Sequence, residues 1–260
     1  NVVTGAFGNI AQVLADIEDV ERTALIWHDP ETASEADYAV LKTVNLSPFV
    51  LDNAQVLNIS VDGAAEQAFT FAATAGARTG NVAELYAITD GWHLDLKVDG
   101  GATQVVTFNT ADFGDIGAAE LQEVVDLVNA DTTGLTASIS TGFLRITSST
   151  KGTGSSIEIL VASTAGLLTA LGTPVGLTSG TGDAVNIAAI TAAEIVTKLA
   201  GLTGATASAP VTGDDVGKVL ITHTGTKGEF GTLQVTGAAA NDGLKFPRTL
   251  TKGVGSLEDY

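Results

Sequence analysis

The chain has 260 residues, of which 30 are Asp or Glu and 12 are Lys or Arg, so its formal net charge is −18. This balance argues against a nucleic-acid-binding surface, which needs clustered Lys and Arg to displace counterions from phosphates. Hydrophobic residues make up 45% and charged residues 16%, so the chain can bury a core. No apolar run approaches the roughly 18 residues of a membrane helix, and we expect no membrane partner.

The sequence contains neither Cys nor Met. The lack of Cys excludes disulfides, thiolate nucleophiles and Cys-ligated metal sites. Met is absent even at position 1, which indicates a processed chain or a segment of a longer one.

The first 46 residues predict a segment that mixes helix and strand. Its predicted elements are a helix over residues 10–17, a strand over 23–27 and a second helix that Ser34 caps and that carries Ala36, Val40 and Leu41. Ser47-Pro48 then predicts a boundary, because such dipeptides favour turns.

Two later segments repeat each other without a gap. Residues 57–71 read LNISVDGAAEQAFTF, and residues 94–108 read LDLKVDGGATQVVTF. Each contains an alternating strand, an Asp-Gly turn and a second apolar strand, which is the strongest short-range signal for a β-hairpin. We therefore predict two hairpins, with turns at Asp62-Gly63 and Asp99-Gly100.

A helix followed by strands also repeats. IGAAEL at residues 116–121 matches ITAAEI at 190–195, and a helical pattern continues after each. In the first copy, the apolar side chains that share one face of the predicted helix are Leu121, Val124, Val125 and Val128. Alternating strands are predicted over residues 143–147, 157–161, 219–222 and 233–236.

These repeats predict a β-rich α+β protein built from tandem small modules after an N-terminal α/β segment. The predicted divisions are the α/β segment 1–46, a partial hairpin module 47–90 with a short helical stretch near 81–87, a complete hairpin-helix-strand module 91–181, and a partial helix-strand module with a C-terminal tail, 182–260.

The search for chemistry assigns no catalytic, cofactor-binding or metal-binding residue. His28, His93 and His223 are the only histidines, and they lie too far apart for local metal-ligand spacing. A Ser/His/Asp constellation stays open, since its members need not be neighbours in sequence, but no GxSxG elbow is present. We expect no enzyme, no cofactor and no small-molecule substrate.

Two further patterns are the Gly-Thr-Gly motifs and the Asp-rich turns. Gly152-Thr153-Gly154 and Gly180-Thr181-Gly182 lack the full pattern of a nucleotide-binding loop, which favours turns. The Asp-rich turns are Asp62-Gly63, Asp99-Gly100 and Asp214-Asp215. Such turns offer the oxygen ligands that calcium prefers, although none forms a DxDxDG loop.

The run from VDGGATQVVTF through residues 116–159 resembles the repeat inserted in flagellins and flagellar filament-cap proteins. The matching positions are Leu121, Val128, Asn129, Gly134 to Ser138, Leu144 to Ser148 and Gly154 to Ile159. The same module occurs in tail and head proteins of tailed bacteriophages. Residues 21–28, followed by Ala36 to Ala39, also resemble a segment of contractile-tail sheath proteins. The resemblance implies a scaffold and not an active site.

We interpret the sequence as a non-enzymatic structural protein of a tailed-phage virion. It would assemble in many copies into the tail sheath or tube, or onto the capsid surface, with copies of itself and other virion proteins as partners. A flagellar filament or cap domain and a surface adhesion module are the alternatives. The residues expected to matter are structural: the two Asp-Gly turns, the stripe of Leu121, Val125 and Val128, and the exposed strand edges.

Overall fold

The computed structural model describes residues 37–254. The predicted elements at 10–17 and 23–27, together with His28, lie outside these residues. The β-rich α+β class is confirmed: within 37–254, fourteen strands form four antiparallel sheets, and the helices are short. No helix in the described part of the chain has the length and apolar character needed to cross a bilayer.

The strands are β1 (Val40–Lys42), β2 (Gln55–Val61), β3 (Gln67–Phe71), β4 (Ala77–Thr79), β5 (Trp92–Val98), β6 (Gln104–Phe108), β7 (Leu135–Ser140), β8 (Phe143–Ser148), β9 (Ser156–Ile159), β10 (Gly176–Ser179), β11 (Ala205–Ser208), β12 (Leu220–His223), β13 (Thr232–Thr236) and β14 (Thr251–Lys252). The α-helices are α1 (Leu121–Asp131), α2 (Ala165–Leu171), α3 (Ala192–Lys198) and α4 (Ala240–Leu244). Short 3-10 turns cover Thr110–Asp112, Ile116–Ala118, Ile187–Ala189, Leu199–Gly201 and Gly228–Phe230.

The elements separate into two groups, each with its own hydrophobic core. Strands β4 to β10 with α1 and α2 form what we call the central unit, whose sheets have the orders β4-β8-β7 and β10-β9-β5-β6. Strands β1 to β3 and β11 to β14 with α3 and α4 form the split unit, whose sheets have the orders β1-β12-β11 and β14-β13-β2-β3. The chain enters the split unit, builds the whole central unit, and then returns.

The segments predicted as two incomplete modules, 47–90 and 182–260, share a sheet and a core. Strand β13 pairs with β2, with Leu233 opposite Val61 and Val235 opposite Ile59. All four of these side chains lie in the same buried cluster. Strand β1, which precedes the predicted boundary at Ser47-Pro48, pairs with β12 in the same unit.

The two units have the same strand order and register. Val40 lies opposite Thr222 in the split unit, as Ala77 lies opposite Thr147 in the central unit. The backbone of Phe49 exchanges two hydrogen bonds with Ile190, with N–O distances of 2.8 and 2.9 Å. In the central unit, Tyr86 and Ala119 exchange the equivalent bonds at 2.9 Å each.

Both predicted hairpins and the predicted helix stripe are confirmed. Strands β2 and β3 pair from Gln55–Phe71 to Ile59–Gln67, and β5 and β6 pair from Trp92–Phe108 to Leu96–Gln104. The four apolar side chains of the predicted stripe on α1 are all buried. Alternating and helical periodicity therefore identified the elements that each unit packs together.

Two helix predictions are wrong. Val40 and Leu41 lie in strand β1, where pairing with β12 buries Leu41. Residues 81–87 form no helix, because Tyr86 pairs with Ala119 and its ring is buried in the central core. Tertiary pairing overrides local helix propensity at both places.

A glutamine recurs in each hairpin and ties it to the loop that follows the helix. The Gln104 side chain donates to Thr133 O at 3.0 Å and accepts from Thr133 N at 2.7 Å. The Gln67 side chain forms the same two bonds with Thr203, at 2.9 and 2.8 Å. The amide thus acts as a cross-link between elements distant in sequence.

We expect Gln104→Ala to lower the free energy of unfolding by about 1 kcal/mol, because two backbone groups lose their partner. The matched control is Gln122→Ala, which removes only an exposed bond to Asp126 on α1 and should cost a few tenths of a kcal/mol. Urea unfolding of both variants measures the difference. Equal losses would show that the Gln104 cross-link adds nothing to stability.

Candidate functional site

The two predicted Asp-Gly turns adopt the same tight conformation. Asp62 and Asp99 both have φ of 52°, and the glycines that follow have φ of 67° and 69°. The N–H of Ala64 donates to Val61 O at 2.9 Å, and that of Gly101 donates to Val98 O at 2.8 Å. Two successive residues with positive φ and this closing bond define a type I′ hairpin turn, which explains the Asp-Gly pair.

The carboxylate of Asp99 is occupied by the protein itself. Its Oδ1 accepts from Ser156 N at 2.7 Å and from the Ser148 hydroxyl at 2.9 Å, while Oδ2 accepts from the Thr150 hydroxyl at 2.7 Å. The turn is thereby fastened to the start of β9. These oxygens bind groups of their own unit and are not presented as an open set of calcium ligands.

The carboxylate of Asp62 likewise fastens its turn to neighbouring groups of the split unit, although its partners differ. Its Oδ1 accepts from Thr232 N at 2.9 Å, and its Oδ2 lies 2.9 Å from His223 Nε2. The hydrogen bond from the Thr232 backbone, followed by that from His223, lowers the pKa of Asp62 below its usual value. His223 Nδ1 accepts hydrogen bonds from the N–H groups of Gly225 and Thr226, both at 3.1 Å. The ring hydrogen therefore lies on Nε2, which donates the hydrogen bond to Asp62.

His93 lies in the central unit and its ring also bonds to structural groups. Its Nε2 donates to Ala162 O at 3.0 Å, and its Nδ1 lies 3.2 Å from the Thr164 hydroxyl. The nearby Ser163 hydroxyl accepts from Asp95 N at 2.9 Å and donates to Asp95 O at 3.1 Å. Ser163 thus bonds to the backbone of Asp95 and not to the His93 ring, so these three residues do not make the Ser-to-His contact of a catalytic triad.

The candidate metal ligands do not converge in the part of the chain that the structure describes. Among residues 37–254, no three His, Asp or Glu side chains are grouped so that they could hold an ion. Asp215 of the third Asp-rich turn accepts from Lys218 Nζ at 2.9 Å and also pairs with Lys42. Its partners are therefore cations of the protein.

A glutamate at the start of each main helix closes the preceding loop. Glu194 Oε1 accepts from Val185 N at 2.7 Å, and Oε2 accepts from Thr191 N at 2.8 Å. Glu123 accepts in the same way from Gly114 N at 2.8 Å and Glu120 N at 2.9 Å. Sequence reasoning missed this shared feature, because the match of IGAAEL with ITAAEI aligns Glu194 with Glu120. The structure instead makes Glu194 the counterpart of Glu123, since each is the third residue of its helix.

Both of these glutamates have a lowered pKa. Burial by itself raises the pKa of Glu194, but the backbone hydrogen bonds from Thr191 and Val185 outweigh it. For Glu123, the bonds from Gly114 and Glu120 lower the pKa. Hydrogen bonds to the ionised form favour it, so each carboxylate stabilises its loop only while it is charged.

The two Gly-Thr-Gly motifs meet where the chain passes between the units. Thr74 N donates to Thr181 O at 2.7 Å, and Gly152 N donates to Thr74 O at 3.0 Å. The incoming and outgoing segments of the chain therefore run side by side. Residues 152–154 lie in a turn, as predicted, but residues 180–182 are extended and pair with 72–74, so the second turn prediction is wrong. The glycines of both motifs lie at the junction between the units.

The central unit also bonds directly to the backbone of the split unit. Thr153 N donates to Ala184 O at 2.9 Å, Gly154 N to Val185 O at 3.0 Å, and Ile187 N to Lys151 O at 2.9 Å. We call the contact of residues 151–154 with 184–187, together with the paired extended segments 72–74 and 181–183, the junction. Two chain crossings and three backbone bonds restrain the units against hinge motion.

Glycine is required in the junction because backbones approach too closely for a side chain. A Cβ at Gly180 would overlap Thr74 O and would lie 2.6 Å from Gly152 O. A Cβ at Gly152 would overlap Ala184 O, and Gly152 also has φ of 131°. Close backbone contact thus explains why Gly stands at these positions.

The predicted exposed strand edges are protected unequally. On β7, Ala137 exchanges two bonds with the Asn129 side chain of α1, at 2.8 and 3.0 Å, so the helix covers the outer backbone of this edge strand. On β6 and β10, which are the two edges of the larger central sheet, Val105 is 51% exposed and Leu177 is 59% exposed.

We expect Gly180→Ala to lower the free energy of unfolding by about 2 kcal/mol, because the methyl group overpacks the junction. The control is Gly201→Ala, where a Cβ meets nothing within 4 Å and the change should stay within about 1 kcal/mol. Denaturant unfolding of both variants measures the contrast. A Gly180 variant as stable as its control would mean that the junction adapts to a side chain without cost.

The lowered pKa of Glu194 makes part of the stability pH-dependent. A folded-state pKa below the usual 4.5 means that this contribution is present above the unfolded pKa and is lost as pH falls through the folded pKa. In Glu194→Gln, the stability should therefore fall less between pH 5 and pH 3 than in the unaltered chain. Thermal unfolding across that range measures the slope. The control is Glu229→Gln, whose carboxylate accepts no hydrogen bond within residues 37–254, and an equal flattening there would contradict the assignment.

No protein-family model and no curated protein matches the chain. Among solved structures, it is similar to the D2-D3 domains of the flagellar cap protein FliD from Escherichia coli, at 16% identity and a TM-score of 0.33, over 77% of this chain and 98% of that one. FliD from Bdellovibrio bacteriovorus is similar at 15% identity and a TM-score of 0.27, over 77% and 94%. The D2-D3 domains of FliD from Serratia marcescens are similar at 16% identity and a TM-score of 0.31, over 79% and 95%.

The predicted virion location is wrong by this comparison, since the matched structures named here are flagellar cap proteins and none is a virion component.

Proposed function

We propose that this chain is a non-enzymatic structural element of a self-assembling filament or cap of the flagellar type, in which two copies of one module, one inserted in the other, form a stiff building block. The observation that carries the proposal is the use of the recurring polar side chains. In both units, Gln67 and Gln104, Asp62 and Asp99, and Glu123 and Glu194 all hold backbone of their own unit. A duplicated scaffold whose recurring polar side chains bind its own backbone is suited to bearing load and to holding neighbouring parts of an assembly at a fixed distance.

The sequence motifs that resemble the flagellin and flagellar-cap repeat support this proposal, because their residues make structural contacts in the central unit. Asn129 binds the edge of β7, and the stretch Gly134 to Ser138 forms the turn and the start of that strand. Leu144 and Ser148 belong to β8. Leu144 is buried in the core, and the Ser148 hydroxyl donates to the carboxylate of Asp99. The motif thus specifies a fold and its edges.

Copies of the chain itself are the partners that we propose. A formal charge of −18 opposes contact between free copies, and salt screens such repulsion. Assembly should therefore strengthen with ionic strength and with magnesium. The exposed aliphatic side chains at the two edges of the larger central sheet, Val105 and Leu177, supply apolar surface for a neighbouring copy.

Light scattering of the purified chain against concentration and salt tests this proposal. We expect oligomers of defined mass whose midpoint concentration falls as salt rises, and a rise in that midpoint of about tenfold, or roughly 1.4 kcal/mol, in Val105→Glu. The control is Val211→Glu, which adds the same charge at a loop side chain that is 87% exposed. A strict monomer under all conditions, or equal effects of the two variants, would contradict assembly through this edge.

A further inference from the structure

The two units differ at the first residue of the strand that opens each hairpin. Strand β5 begins at Trp92, and β2 begins at Gln55. These residues are counterparts, because Trp92 lies opposite Phe108 and Gln55 lies opposite Phe71 in hairpins of the same register. The split unit therefore has a smaller, polar side chain where the central unit has an indole ring.

In the central unit, Trp92 covers one face of helix α2. A Cβ on Gly166 would lie 2.6 Å from two atoms of the indole ring, so the ring lies directly against the backbone of the helix. Helix α4 is the counterpart of α2, since each ends at a residue in the left-handed conformation, Gly172 after α2 and Lys245 after α4. Trp92 thus shows that this helix face accepts an aromatic ring.

In the split unit, the same place is a groove. It has a volume of about 560 Å³, lies between residues 45–50 and α4, and includes Gln55 in its wall. A second section of about 770 Å³ continues it along residues 241–248. Of its aliphatic wall, Leu46 is 57% and Val50 is 68% exposed. Exposed apolar surface of this kind is typical of an interaction site.

The loop 227–230 carries a ring that suits this groove. Among residues 37–254, Phe230 is the most exposed aromatic residue, at 77%. It follows Glu229, and the groove has two exposed cations in its wall, Lys245 and Arg248. The ring with its neighbouring carboxylate therefore matches a groove with apolar walls and neighbouring cations.

Phe230 cannot reach the groove of its own chain. Gly228 N donates to Asp37 O at 3.0 Å, which fixes the loop before β1, whereas the groove begins at Val44, after β1. Between them, residues 39–43 run extended beside β12 and its flanks, which separates loop and groove by at least about 13 Å. The ring and the groove lie at opposite ends of the split unit.

We propose that Phe230 of a second copy inserts into this groove and takes the place that Trp92 has in the central unit. Glu229 of the second copy then faces Lys245 and Arg248. A contact between opposite ends of identical chains is head-to-tail, and it builds an open filament unless its rotation closes a ring. This inference rests on the proposed function, for which it names the partner surfaces.

Three variants each remove one side of the contact. Phe230→Ala removes the ring. Gln55→Trp combined with Ala239→Gly fills the groove from within, because Ala239 precedes the cap of α4 by the same number of residues as Gly166 precedes that of α2. Val50→Asp is a second groove variant at an exposed position of the wall, so the test does not depend on the folding of the double variant.

We expect each variant alone to raise the midpoint concentration of assembly in light scattering by at least about tenfold. Mixed in the Val105→Glu background, the ring variant and a groove variant should form a complex of two chains, because one keeps the groove and the other keeps the ring. The control is Val161→Ala, at a residue of the central unit that is 85% exposed, and its midpoint should stay within about twofold of the unaltered chain.

The other outcomes overturn the proposal in distinguishable ways. Assembly that Val105→Glu weakens but that Phe230→Ala and the groove variants leave unchanged overturns this contact and leaves the proposed function standing. A mixture of ring and groove variants that stays monomeric, or a control as weak as Phe230→Ala, also overturns the contact. An unaltered chain that is a strict monomer under all conditions overturns the contact and the proposed function together.

Discussion

The rest of the architecture depends on the pairing of Thr74 with Thr181, because it brings together the two points where the chain leaves and re-enters the split unit. Thr74 N lies 2.7 Å from Thr181 O, so the two ends of the central unit are as close together as the ends of a short turn. The split unit can then align β13 with β2 as if the chain between them were short. Without that closure, the halves of its core would be joined by a long loop whose entropy opposes the pairing.

Comparison of the two units separates what the fold requires from what it tolerates. The turn aspartates, hairpin glutamines and helix-start glutamates recur with the same backbone partners, whereas the side chains around them vary. His223 occupies in the split unit the place that Ser148 has in the central unit, and each donates to the turn aspartate. The fold therefore requires a hydrogen-bond donor that faces the carboxylate of the Asp-Gly turn, and it tolerates different residue types as that donor.

Periodicity in the sequence was sufficient to predict the two hairpins and the apolar stripe of α1, but not strand β1 or the extended segment 81–87. The alternation in 57–71 and 94–108 and the stripe from Leu121 to Val128 depend only on which faces are buried, and burial leaves a regular pattern. The nesting was not predictable in this way, because the pairing of Leu233 with Val61 has no local signature. Two halves of one unit therefore looked like two incomplete modules. The candidate site showed the same limit: the Gly-Thr-Gly motifs indicated turns, but only the fold brings both motifs to one junction.

A nested arrangement also determines how force passes through the molecule. In a tandem array, one chain crossing joins neighbouring domains, and that crossing can swivel. Here two crossings and the bonds between 151–154 and 184–187 act together, so bending at the junction has to break several backbone hydrogen bonds at once. Glycines at Gly152, Gly154, Gly180 and Gly182 permit this close approach, and larger residues would force the backbones apart. Stiffness is then a property of the backbone, which leaves the exposed side chains free to vary without loss of the scaffold.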